Sequence, residues 1–253
     1  MLSCSVLFAQ NVTNLWQGRP LYQGMPLTTV PSANVSLGAV GFDNDWRTNF
    51  AYNATPAGPL TVSVGSAGAN RLLIVSALVC EPLNALTNVP VYAGTPMTFL
   101  CVTNIHSATE GSNWVFYLVN PAVGNNNLVF GISNVAKRVF FRALFFTNAN
   151  QSSSISNYTI NYKVATRSFY GNTNSAASAT NDIVVDFYSG YGVIPTFKAS
   201  SIQTMLTNGL LASELMLTVS SYAPAAASTT TMWWTNTLAW DCYTHITATI
   251  KAR

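Results

Sequence analysis

Apolar and polar positions along the chain change register near residue 58. Before it, Gly, Pro, Asn and Thr are frequent and periodicity is weak after Gln10. Residues 1–55 therefore read as an extended N-terminal arm. From 56 to 253, short β-branched and aromatic runs alternate with turn residues, the signature of strands rather than helices. Strands are predicted near 60–65, 72–80, 97–103, 113–119, 127–132, 138–147, 157–165, 181–188, 214–221, 229–235 and 240–250. Turn chemistry separates them, as in Ala93-Gly94-Thr95-Pro96 and Gly124-Asn125-Asn126-Asn127. One short helix is predicted around 201–209, where Ile202, Met205 and Leu206 recur at helical spacing. The expected fold is all-β, an antiparallel β-sandwich of jelly-roll type carrying the arm.

Parity within the strands sharpens this picture. Near the C-terminus, Thr244, Ile246, Ala248 and Ile250 alternate with His245, Thr247, Thr249 and Lys251, which predicts one buried and one wet face. Residues 72–79 and 113–119 are apolar on both faces. In 138–147, Val139, Phe141, Ala143 and Phe145 share one face, and Phe140, Leu144 and Phe146 share the other with Arg138 and Arg142. Each large side chain on such a face is worth roughly 1.5–3 kcal/mol when buried. Strands greasy on both sides need a second cover, either a neighbouring subunit or the arm and long loops of the same chain.

Composition narrows the setting. The 253 residues include 13 Phe, 11 Tyr and 6 Trp but only 8% charged side chains. A chain this aromatic and this poor in charge folds. Its skin must be Asn, Thr, Ser, Gln and Tyr, which suits a secreted or assembled protein: an extracellular, cell-surface or virion location. The net charge of +3 is spread without a basic stripe, so nucleic acid is not an expected partner. No run of 18 apolar residues is present, so no membrane-spanning helix is expected. Residues 1–10 place Leu2, Cys4, Val6 and Phe8 on one face at period two, a candidate assembly strand; the same stretch also reads as the remnant of a signal peptide.

Five Asn-x-Ser/Thr sequons, at Asn11, Asn34, Asn53, Asn150 and Asn157, are candidate glycosylation sites. Cys4, Cys80, Cys101 and Cys242 are too widely spaced for a zinc or thioredoxin motif. Two readings stand: disulfides, with Cys80–Cys101 and Cys4–Cys242 the first pairing to consider, or buried thiols.

Catalytic chemistry finds little footing. Asp241 and His245 are four residues apart, about 13 Å on a strand and beyond hydrogen-bond reach; His245 reads as solvent-facing and His106 as a loop residue. Asp43-Asn44-Asp45 reads as a capped turn rather than a calcium loop. Glu81, Glu110, Asp182, Asp186 and Glu214 show no pairing by spacing. No nucleophile elbow, P-loop or dinucleotide fingerprint occurs, so neither an enzyme nor a cofactor is expected. Trp16, Trp46, Trp233 and Trp234 could stack on sugars, although adjacent Trp233 and Trp234 face opposite ways on a strand.

The order Asn70-Arg71-Leu72-Leu73-Ile74-Val75, then Val91-Tyr92-Ala93-Gly94-Thr95-Pro96-Met97-Thr98, then Tyr117-Leu118-Val119-Asn120-Pro121 resembles a β-sandwich module recurrent in secreted bacterial and phage-associated proteins. Asp182-Ile183-Val184-Val185-Asp186 and the closing strand from Trp240 to Ile250 are similar to its second half. The likeness covers about 58–253; Ala93 stands where the module's hairpin has Gly. It implies architecture and an extracellular setting, and no catalytic residue. The expected function is a non-enzymatic structural subunit that self-assembles into a filament, surface fibre or virion component, its arm bridging copies. The alternative is a carbohydrate-binding module whose partners are glycans.

Overall fold

Chain-long alternation of apolar runs and turns becomes a set of antiparallel sheets in the computed structural model, which describes residues 39–50, 59–80, 86–105, 111–131, 138–163, 169–192, 197–199, 201–206, 209–211, 216–226 and 228–253. All lie in one compact unit, Leu37–Arg253. Among the described residues there is no helix, and so none long and apolar enough to cross a membrane.

The first sheet has five strands in the order β1 (Gly41–Phe50), β9 (Arg138–Thr147), β3 (Leu72–Cys80), β7 (Ser112–Val119) and β6 (Thr98–Asn104). The second is smaller: β2 (Leu60–Val64), β8 (Gly124–Val129), β4 (Val91–Tyr92) and β5 (Thr95–Pro96). The third runs β10 (Ile155–Lys163), β17 (Thr229–Ile250), β12 (Ile183–Gly192), β16 (Met216–Pro224) and β14 (Thr204–Met205). Off that path, β11 (Phe169–Ala177) and β13 (Phe197–Ala199) pair with β17, and β15 (Gly209–Leu211) pairs with β16.

The strands that are apolar on both faces belong to the first sheet, and other sheets of the same chain cover both faces. Leu73, Val75, Ala77 and Val79 of β3 join Phe141, Ala143 and Phe145 of β9 against Val62 and Val64 of β2, Tyr92 of β4 and Leu128 of β8. On the opposite face, Leu72 and Ile74 join Leu144 and Phe146 against Ile183, Val185 and Phe187 of β12 and Ile246, Ala248 and Ile250 of β17. Among the described residues the cover on both faces thus comes from the same chain, with Val40 joining it on the second face. Every residue from Leu72 to Val79 is buried. Arg142, also buried on the second face, donates from Nη1 to Ser220 Oγ on β16 and lies over the Phe140 ring.

Three local expectations change. Residues 41–50, read as part of the arm, pair antiparallel with β9 along their whole length. The backbone of Asp43-Asn44-Asp45 is therefore strand, with a register shift at Asp43, and not a capped turn. The helix expected around 201–209 is absent: 201–202 turn, and Thr204 and Met205 pair with Tyr222 and Ser221. Edge pairing there outweighs the weak helical spacing. The hairpin at Ala93-Gly94 has φ of 49° and 80°, so both central residues are left-handed, as a tight two-residue hairpin of type I′ requires.

Candidate functional site

Strand β17 is one continuous 22-residue strand where two were expected. Its second half pairs with β12 and β10, and its first half pairs with β11 and β13. The first half also lies back over the third sheet: Met232 packs with Val184 and Ala223, and Trp234 with Tyr188, Val219 and Tyr243. This fold-back covers the face of β17 that the alternation marks as wet. His245, Thr247 and Thr249 are all fully buried.

Asp186 stands at the centre of the enclosed space. Its Oδ1 accepts from the backbone N and Oγ of Ser221, at 2.8 and 2.7 Å. Its Oδ2 accepts from Trp234 Nε1 at 2.7 Å and lies 2.9 Å from His245 Nε2. His245 Nδ1 lies 2.9 Å from Asn172 Oδ1, and the ring meets Tyr188 edge-on at 5.3 Å. Gln203 donates from Nε2 to Ser221 Oγ at 2.8 Å and accepts at Oε1 from the Trp233 backbone N at 2.7 Å. Asn174, from β11, donates to the carbonyls of His245 and Thr159.

A carboxylate beside an imidazole invites an acid–base reading. A general base must reach the proton it takes, within about 3 Å of its own nitrogen. Here both ring nitrogens are engaged, neither side chain reaches solvent, and the nearby Ser221 hydroxyl donates to Asp186 rather than to the ring. The arrangement satisfies buried polar groups and ties β12, β16 and both halves of β17 together. His245 is thus buried and partnered by Asp186, correcting the solvent-facing expectation.

Other expected residues are dispersed. Asp182 accepts from the backbone N of Ala179 and Ala252 and lines a cleft of about 390 Å³ with Asn157, Asn181, Lys251 and Arg253. Asn150 Oδ1 accepts from Ser152 N and Oγ and from Ser153 N; Asn150 and Asn157 are both partly exposed. Cys101 is a buried free thiol, pushed up to about 12 by burial, and Cys242 is buried with Leu78, Ile105 and Phe140. Trp233 is 41% exposed and Trp234 is fully buried, the opposite facings that adjacency on a strand implies. The assembly-strand residues Leu2, Cys4, Val6 and Phe8, with Asn11, Asn34, Asn53, Trp16, His106, Glu81, Glu110 and Glu214, lie outside the described residues, as do the side chains of Cys80, Trp46 and Asp241. Among the described residues no group of three or more His, Cys, Asp or Glu is placed to hold a metal ion.

The remaining surface signal is apolar. Phe99 on β6, Tyr158 and Tyr162 on β10 and Met205 on β14 are 46, 43, 58 and 47% exposed. Each sits on the terminal strand of its sheet. Comparison of the chain with protein-family models, characterised proteins and solved structures finds no match.

Proposed function

We propose that this chain is a non-enzymatic structural subunit of an extracellular or virion assembly, built on an elaborated jelly-roll-like β-sandwich and joined to neighbouring copies through its N-terminal segment. One observation carries the reading: the exposed apolar side chains of Phe99, Tyr158, Tyr162 and Met205 sit on strands that, among the described residues, end their sheets. Sheet edges are the usual route by which one β protein recruits another strand. The faces of the first sheet, already covered, lend no support to assembly; its edges do. The neutral, amide-rich surface and the use of Asp186 and His245 in core bonding agree with this role.

A second reading, glycan binding, draws on the half-open ring of Trp233 beside Thr173, its cross-strand neighbour. Electron microscopy of the purified full chain separates the two. Filaments or shells support a building block; dispersed particles that bind a glycan array and lose binding on Trp233→Ala support a lectin.

A further inference from the structure

Strand β6 closes the order of the first sheet; it pairs with β7, and among the described residues no strand pairs with its other side. Natural sheets guard such edges with charge, proline or bulges. Thr98–Asn104 contains no charged residue and no proline. Its one irregularity is a register shift between Phe99 and Cys101, which leaves Cys101–Asn104 regular.

Aromatic surface flanks this edge on both sides. On the face toward the second sheet, the Phe99 ring lies 6.0 Å from Trp114 and 5.7 Å from Phe116, and Trp114 stacks on Phe116 at 6.4 Å. Val102 stands opposite Trp114 on the same face. On the other face β10 passes beside β6. Ile160 packs into the cluster shared by the first and third sheets, so Tyr158 and Tyr162, two residues to either side of it, look toward the first sheet as well. An added strand would meet an unpaired backbone ladder, a ledge built on Phe99 and Trp114 below, and two tyrosines above.

We infer that β6 is the acceptor edge for an extended segment of a second copy of this chain, residues 2–8, an inference that rests on the assembly reading above. That segment carries no charged side chain and alternates Leu2, Cys4, Val6 and Phe8, the period an added strand needs to set one row of side chains on the ledge. Residues 11–38 can span roughly 90 Å when extended. That is ample reach from Val40, where the backbone N donates to Asn181 O, to a neighbouring molecule. The result is a head-to-tail contact, which propagates as a filament or closes as a ring.

The test blocks each half of the contact in the full chain and then mixes the halves. Phe99→Asp spoils the acceptor; Val6→Asp with Phe8→Asp spoils the donor. Sedimentation velocity and native mass spectrometry should find each variant monomeric. An equimolar mixture should give one-to-one dimers and nothing larger, because one donor and one acceptor remain. Circular dichroism checks folding, and Val102→Lys decides the acceptor arm if Phe99→Asp does not fold. Acceptor variants that assemble like the wild-type chain, or a mixture that stays monomeric, overturn this inference and leave the assembly reading standing. A wild-type chain that remains dispersed at high concentration overturns the assembly reading itself.

Discussion

Asp186 Oδ2 and His245 Nε2 lie 2.9 Å apart with both side chains fully buried. The pair spans β12 and β17, where His245 stands opposite Tyr188, and Asp186 reaches it diagonally. Trp234 completes the triangle from the part of β17 that folds back over the sheet. A buried carboxyl group of this kind is tolerable only when its oxygens are hydrogen-bonded, and Ser221 N and Oγ, Trp234 Nε1 and His245 Nε2 all lie within bonding distance of them.

Removing the carboxylate should therefore be costly. Asp186→Ala leaves three buried partners without an acceptor and should lower unfolding stability by about 3–5 kcal/mol. Trp234→Phe removes a single charge-assisted bond and should cost less, about 1.5–3 kcal/mol. Urea unfolding of the two variants checks the order; equal losses would show that the clasp does not act as described.

Ala93 adopts φ 49° in the β4–β5 hairpin. A side chain there costs roughly 1–2 kcal/mol, while glycine adds about 0.5–1 kcal/mol of ordering entropy. Ala93→Gly should thus stabilise the chain slightly, by about 0.5–1 kcal/mol, read as a raised denaturant midpoint with unchanged slope.

Cys101 should resist alkylation in the native chain. Burial holds its thiol near 12, so at pH 8 the reactive thiolate is scarce and sheltered. Because the folded value lies above the unfolded one, near 8.5, this group favours folding at neutral pH. Its contribution falls away as pH rises from about 8.5 toward 12. Iodoacetamide labelling followed by mass spectrometry should modify Cys101 only after denaturant is added.

Phe141 is fully buried where the first sheet meets the second, its ring centroid 3.9 Å from that of Phe130. Phe141→Ala should cost about 3–5 kcal/mol and, if edges rather than faces join copies, should leave the size of any assembly formed below the melting point unchanged. Light scattering alongside thermal melting reads both.

Much of the strand framework is legible in the sequence because burial on both sides leaves apolar runs broken by a single polar residue, as in Leu72–Val79 and Val139–Phe146. Strand β11 escapes notice for the opposite reason. Strand β11 points Asn172 and Asn174 inward as hydrogen-bond partners of Tyr243, His245 and Thr159, and polar residues turned inward mimic a loop. The buried clasp is hidden likewise, since His245, Thr247 and Thr249 resemble a wet face until the first half of β17 covers them. Asp186 carries the one usable signal, a carboxylate set inside Ile183-Val184-Val185 and Phe187. Parity marks both faces of the first sheet as buried; it says that a face is covered and not by what.

Hydrogen exchange on dispersed and assembled full-length chain tests the division of labour between faces and edges most directly. The account predicts that assembly slows exchange across 98–104 while amides in 72–79, already enclosed by two sheets of their own chain, stay unchanged. Unaltered exchange at 98–104, with new protection appearing in the interior strands instead, would contradict it.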